Sequence, residues 1–217
     1  MVSTRNSSLV EKVFKWIRLV NLMIHTHILL RYGELFLKGK NKELFEKRLI
    51  NNIKKLAHTG EVKKIRGRLI VDYFNDHERL KKVFGLVSYS PAIRVEKNLE
   101  EIKKEASRLL NNKKIKTFKI ETKRSDKQFL IKSPEMNVKV GEFIEESSRL
   151  KFSFKNPEKI LKIEINQEGA YLFTETVKCF GGLPTGIEGK VNLLVENSAS
   201  ILAGLLFMKR GCSVVPV

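Results

Sequence analysis

Cysteine is scarce. Cys179 and Cys212 are the only two in 217 residues, which excludes a disulfide scaffold and a CxxC pair, and the expected location is a reducing one, the cytoplasm. Long apolar runs are missing too. Each is broken by Asn, His or a charge well short of the roughly 18 residues that a spanning helix needs, so no membrane-spanning helix is expected. Acid is the third shortage: 24 Asp and Glu stand against 42 Lys and Arg, leaving +18 and a pI near 9.9. Repeats and low-complexity tracts are absent. What remains is 42% apolar residues, enough for packed cores in one or two domains, and a positive excess that must meet something acidic. Nucleic acid comes first and an anionic membrane surface second.

Little else points to catalysis. His25 and His27 would face one side of a strand, but no carboxylate or cysteine accompanies them, and no metal site is expected. Cys179 and Cys212 read as small thiols rather than nucleophiles.

The first 22 residues set Val10, Val13, Phe14, Trp16, Ile17 and Val20 among Arg5, Lys12, Lys15 and Arg18, with Glu11 as the lone acid. Such a leader is either a transit peptide or an extension ahead of Met23, and the strand-like run beginning at Ile24 favours the extension. From there the hydrophobic period alternates between strand and helix. Ile24 to Leu30 reads as a strand, and Leu44, Phe45, Leu49, Ile53 and Leu56 mark a helix. Val62 to Ile65 and Arg68 to Phe74 form a hairpin around Gly67. A short helix from Asp76, its expected N-cap, to Phe84 precedes a strand from Val87 to Val95 that Pro91 consigns to an edge or bulge. The order βαββαβ is that of a ferredoxin-like unit, within an overall α/β (α+β) class.

A second unit opens with Asn98 as the N-cap of a helix through Leu110, followed by a strand from Ile115 to Thr122. Ser133-Pro134-Glu135 starts another helix, running to about Arg149. Ile160 to Ile165 and Tyr171 to Thr176 pair as strands. The last piece is a strand from Val191 to Val195, a helix from Ala199 to Arg210 closed by Gly211, and a strand from Ser213 to Val217. This βαβ stub is too small to bury itself and must pack on something. The expected domains are an extension (1–22), a ferredoxin-like domain (23–96), a second core (97–178) and the stub (179–217).

The densest basic segment is Lys113 to Lys132, where Lys123, Arg124, Lys127 and Lys132 concentrate charge and Phe118 and Phe129 interleave. Such a strand and loop can track phosphates while the aromatics pack beneath or stack on bases. Alternatively, it is a lysine-protected strand edge. A second group includes Lys38, Lys40, Arg66 and Arg68.

Several motifs then resemble one family. Leu29-Leu30-Arg31-Tyr32-Gly33-Glu34-Leu35-Phe36-Leu37-Lys38-Gly39-Lys40-Asn41 is similar to the opening of the tRNA 4-thiouridine synthases, or tRNA sulfurtransferases, which are also linked to thiamine thiazole synthesis. Lys123-Arg124, Phe129, Ser133-Pro134-Glu135 and Asn156-Pro157-Glu158 resemble a THUMP domain. Gly181-Gly182-Leu183-Pro184-Thr185-Gly186 resembles the junction to the catalytic pyrophosphatase-loop domain, and Met208-Lys209-Arg210-Gly211-Cys212 the end of that domain's first helix.

The resemblance implies a ferredoxin-like domain and a THUMP domain that together grip tRNA around its acceptor arm. It also implies an ATP site, marked by Ser-Gly-Gly-x-Asp-Ser, whose glycines let amides surround a pyrophosphate. Here the corresponding Val195-Glu196-Asn197-Ser198-Ala199-Ser200 lacks both glycines and the Asp. Leu194 and Val195 occupy the strand end that touches nucleotide in the family, while Asn197 or Ser198 makes an N-cap. The expectation is a tRNA-binding subunit or adaptor in tRNA modification, with no catalytic residue of its own, no cofactor, and ATP only if the family activity is retained. Its expected partners are tRNA and either a second copy or a catalytic subunit, with no membrane. The alternatives are a sulfurtransferase component completed by another chain, or a membrane-surface scaffold held by the basic leader.

Overall fold

The computed structural model describes residues 25–33, 41–65, 67–111 and 114–217. The leader, Lys38, Lys40 and Arg66 lie outside the described residues. In chain order the elements are β1 (His27–Tyr32), α1 (Lys42–Ala57), β2 (Lys63–Ile65), β3 (Arg68–Asp72), a 3-10 turn (His77–Lys82), β4 (Leu86–Val95), α2 (Leu99–Leu110) and β5 (Thr117–Arg124). There follow α3 (Ser133–Ser147), β6 (Lys151–Phe152), β7 (Lys159–Asn166), β8 (Gly169–Phe173), β9 (Val177–Lys178), β10 (Lys190–Leu193), α4 (Ser198–Lys209) and β11 (Ser213–Pro216). Contacts divide the chain into two compact units, Ile28–Ser90 with Thr176–Val217, and Pro91–Glu175 with residues 25–27.

In the first unit the strands run β2-β3-β1-β4, with β9 on β4, and α1 packs on them. A stripe at four-residue spacing, Phe45, Leu49, Ile53 and Ala57, faces the core. Leu44 and Leu56, expected on that face, point outward, and Glu46 lies inside instead. Residues one position off a stripe turn 100° away from it, and the choice of Phe45 over Leu44 sets which are lost. Glu46 tolerates burial because Tyr32 Oη donates to its Oε1 at 2.9 Å, the Lys64 ammonium pairs with its Oε2 and Lys42 Nζ stands 3.8 Å away.

Two expectations are corrected here. The segment after Asp76 is a 3-10 turn anchored by Leu80 alone, and Asp76 makes no side-chain cap but pairs with Arg79 at 3.5 Å. Pro91 does not interrupt its strand: β4 runs through it, pairing with β9 at residues 88–89 and with β8 at residues 93–95. Pro91 thus stands where the partner changes, a place where a missing N–H breaks neither ladder.

In the second unit residues 93–95 of β4 pair with β8, and the strand order continues β8-β7-β5-β6. Its β7–β8 pair is antiparallel, whereas β5 runs parallel to both β7 and β6. Helix α2 starts where Asn98 accepts from the amides of Glu100 and Glu101, and α3 starts at Ser133 with Pro134 in its first turn. Ile102, Ala106 and Leu110 of α2 and Met136, Val140 and Ile144 of α3 close over Phe118, Ile120, Leu161 and Ile163.

Candidate nucleic-acid interface

Strand β5 sorts its side chains by parity. Phe118 and Ile120 enter the core, which places Lys119, Glu121 and Lys123 on the opposite face. Beyond it, residues 125–132 form a loop held from three sides. The Arg124 guanidinium donates to the Phe129 carbonyl and, at 3.5 Å, to that of Ile131. Ser125 donates its amide to the Ile165 carbonyl at 2.8 Å. Asp126, buried at 4% exposure, receives Lys97 Nζ at 2.8 Å on Oδ2 and the Gln128 amide at 2.9 Å on Oδ1. The hydrogen bond from Lys97 is the chief reason that this carboxyl sits below its usual range, with the Gln128 amide next.

So held, the loop presents Lys127, Lys132 and Leu130 to solvent, beside Lys123 near the end of β5. Arg124, grouped with them by sequence, is half-buried and is turned to the loop's own carbonyls. Phe118 is buried and Phe129 packs against the core, so both aromatics lie beneath the basic surface. Of the second basic group Arg68 is described: half-buried, it donates to the Gly67 carbonyl at 2.8 Å. Two exposed aromatics escaped the sequence reading, Phe152 and Phe154, although Lys151-Phe152-Ser153-Phe154-Lys155 carries its own alternating signal.

The Gly-Gly-Leu-Pro-Thr-Gly segment has a structural task. Leu183 donates its amide to the Lys209 carbonyl at 2.9 Å, and Gly186, Ile187 and Glu188 all donate to the Gly211 carbonyl at 2.7–3.0 Å, satisfying the C-terminal end of α4. Arg48 and Asn52 of α1 donate to the Gly186 and Thr185 carbonyls at 2.7 and 3.0 Å. Gly182 has a φ of 75°, and a Cβ there would lie 2.2 Å from the Lys209 carbonyl oxygen. Burial pushes the nearby Cys179 thiol up to about 11, so at neutral pH it stays protonated and a poor nucleophile.

At the other end of α4, the Asn197 side chain accepts from the amides of Ala199 at 2.9 Å and Ser200 at 3.1 Å. These are the donors that a pyrophosphate would use, and Glu196 adds negative charge beside them. The residues here do not fit a nucleotide phosphate. Leu194 and Val195, just past the end of β10, are exposed. Strands β10 and β11 pair in parallel, and on α4 Gly204 is the one buried residue, while Ile201, Leu202, Leu205, Leu206 and Phe207 are exposed.

Comparison with known proteins agrees with this layout. Residues 27–90 match the ThiI ferredoxin-like domain and residues 96–175 the THUMP domain. Probable tRNA sulfurtransferases of Mycoplasmopsis synoviae and Brevibacillus brevis are 42% and 38% identical, over 88% and 86% of this chain. The chain belongs to the tRNA sulfurtransferase family. It spans about half the length of these curated relatives, 51% and 50%. A crystal structure of the Pyrococcus horikoshii protein PH1313 superposes with a TM-score of 0.81 at 35% identity, covering 88% of this chain and 67% of that one. A 4-thiouridine synthetase–RNA complex with bound ATP superposes with a TM-score of 0.80 at 32% identity, covering 88% and 52%. Among the described residues no helix is long and apolar enough to cross a membrane.

Proposed function

We propose that this chain holds tRNA for thio-modification and carries no ATP-dependent chemistry of its own. The observation that carries the reading is a THUMP domain whose loop 125–132 is braced from within while Lys123, Lys127 and Lys132 face solvent. Those lysines, with the second basic group of Lys38, Lys40, Arg66 and Arg68, neutralise backbone phosphates while Arg124 holds the loop that carries Lys127 and Lys132, and shape selects folded tRNA. Such contacts act in the cytoplasm, where tRNA is modified. The Asn197 cap and Glu196 support the absence of ATP chemistry, because the amides that would grip a phosphate are already taken.

Filter binding at two salt concentrations tests the reading. Preference for tRNA over duplex DNA of equal charge is expected, and equal binding contradicts it.

The exposed apolar residues of α4 favour a second reading, in which another polypeptide supplies the rest of an α/β domain and with it an ATP-dependent sulfurtransferase activity. Equilibrium dialysis with ATP separates the two. Binding by this chain alone would show that residues 194–200 still take nucleotide through Leu194 and Val195.

A further inference from the structure

The edge of the second unit's sheet carries a feature that the lysine loop does not explain. Strand β6 pairs with the start of β5, Lys151 opposite Thr117 and Phe152 opposite Phe118. Phe152 meets buried Phe118 edge-on, with centroids 6.1 Å apart, and remains 45% exposed. Phe154 is 72% exposed, with Lys119 Nζ 4.8 Å over its ring centroid. An aromatic ring held in water with a cation on one face has its other face open to a second planar group.

The surroundings say what sort of group. Lys116, Arg149, Lys151 and Lys155, which flank the two rings along the chain and in the β5–β6 pairing, are exposed. The nearby acids are largely occupied: Glu158 accepts the Lys116 amide at 2.7 Å, Glu145 accepts the Phe152 amide at 2.9 Å, and Glu121 pairs with Lys119 at 3.0 Å. A wholly apolar partner would strand these cations, whereas an anionic chain bearing planar rings satisfies both the lysines and the phenylalanines. Lys119 and Lys123 project from the same face of β5 and, at about 3.3 Å per strand residue, their Cα atoms lie roughly 13 Å apart. A backbone entering at Lys151 and Lys155 therefore reaches the lysine loop by following that face.

We propose that Phe154, braced by Lys119, is a stacking platform for an unpaired nucleobase of RNA, with Lys151 and Lys155 on the adjoining phosphates. The inference rests on the RNA-binding reading above. It adds a site for single-stranded nucleotides to one for folded tRNA.

The test compares the full chain with Phe154→Ala and Phe154→Trp, using a tRNA transcript, a ten-nucleotide oligouridylate and a blunt RNA duplex. Loss of one stack should weaken oligouridylate binding about tenfold in Phe154→Ala, the size expected for one base on one aromatic ring. Phe154→Trp should retain binding and show fluorescence quenching as the base stacks. Blunt-duplex affinity should stay within twofold, and an unchanged thermal midpoint would show that the exposed ring is not needed for folding. Unaltered oligouridylate binding by Phe154→Ala, with tRNA still bound by the wild type, overturns the platform alone. Failure of the wild type to bind tRNA overturns the reading beneath it. Conversion of a wild-type dimer to monomer by Phe154→Ala, with RNA affinity intact, would assign the edge to protein contact and overturn the platform as well.

Discussion

Lys97 Nζ lies 2.8 Å from Asp126 Oδ2, tying the segment before α2 to the loop after β5. This pair fixes the frame from which Lys127 and Lys132 project. Asp126→Asn keeps an acceptor for the Gln128 amide but removes the charge that holds Lys97. Hydrogen exchange at Gln128 should quicken, and tRNA affinity should fall roughly twofold to fivefold, the range of a partly exposed ion pair. Unchanged exchange would show that Arg124 and Ser125 suffice to brace the loop.

Glu46 makes stability depend on pH. Burial pushes its carboxyl upward, but hydrogen bonds from Lys64 and Tyr32 and the charges of Lys64 and Lys42 outweigh this and leave it below the usual range. The folded state therefore binds this proton less readily than the unfolded chain. The resulting stabilisation is present above the ordinary glutamate value near 4.5 and is lost as pH falls through the lower folded value. Glu46→Gln should cost about 1 kcal/mol at pH 7, since half-exposed Lys64 relaxes into water, and should flatten the acid limb of a stability–pH curve. A wild-type acid limb retained in the variant would contradict this assignment.

Gly182 ought not to accept a side chain. Its left-handed backbone and the Lys209 carbonyl oxygen, standing where a Cβ would need room, place strain and overlap at one position. Gly182→Ala is expected to lose about 3 kcal/mol and to loosen α4 before the rest of the chain. A denaturation midpoint equal to the wild type would show that the junction gives way at no cost.

Local signals were the legible ones. Asn98 and Asn197 announce their helices by capping them, and Ser133-Pro134-Glu135 does so by its fixed first turn, because each acts within one turn of chain. The resemblance of residues 29–41 and 181–186 pointed to the family before any geometry. The periodicity of α1 was ambiguous because Leu44 and Phe45 are both apolar, and the partners of Glu46 that decide between them come from β1 and β2. Strands β6 and β9, two residues each, are too short to show a period. At the interface, the run Lys113 to Lys132 gave the charge but not its direction. Strand parity sets Lys123 apart from Arg124, and loop closure turns Arg124 to the carbonyls of Phe129 and Ile131.

The central claim is that the loop lysines contact tRNA phosphate, and the salt dependence of binding measures this most directly. Association constants for tRNA should be determined across a salt series for the wild type and for a Lys123→Ala, Lys127→Ala, Lys132→Ala variant. Each lost phosphate contact lowers the slope of log K against log salt by about 0.7 to 0.9, so a slope shallower by about 2 is predicted, with weaker binding throughout. Parallel slopes with equal affinity would contradict the account.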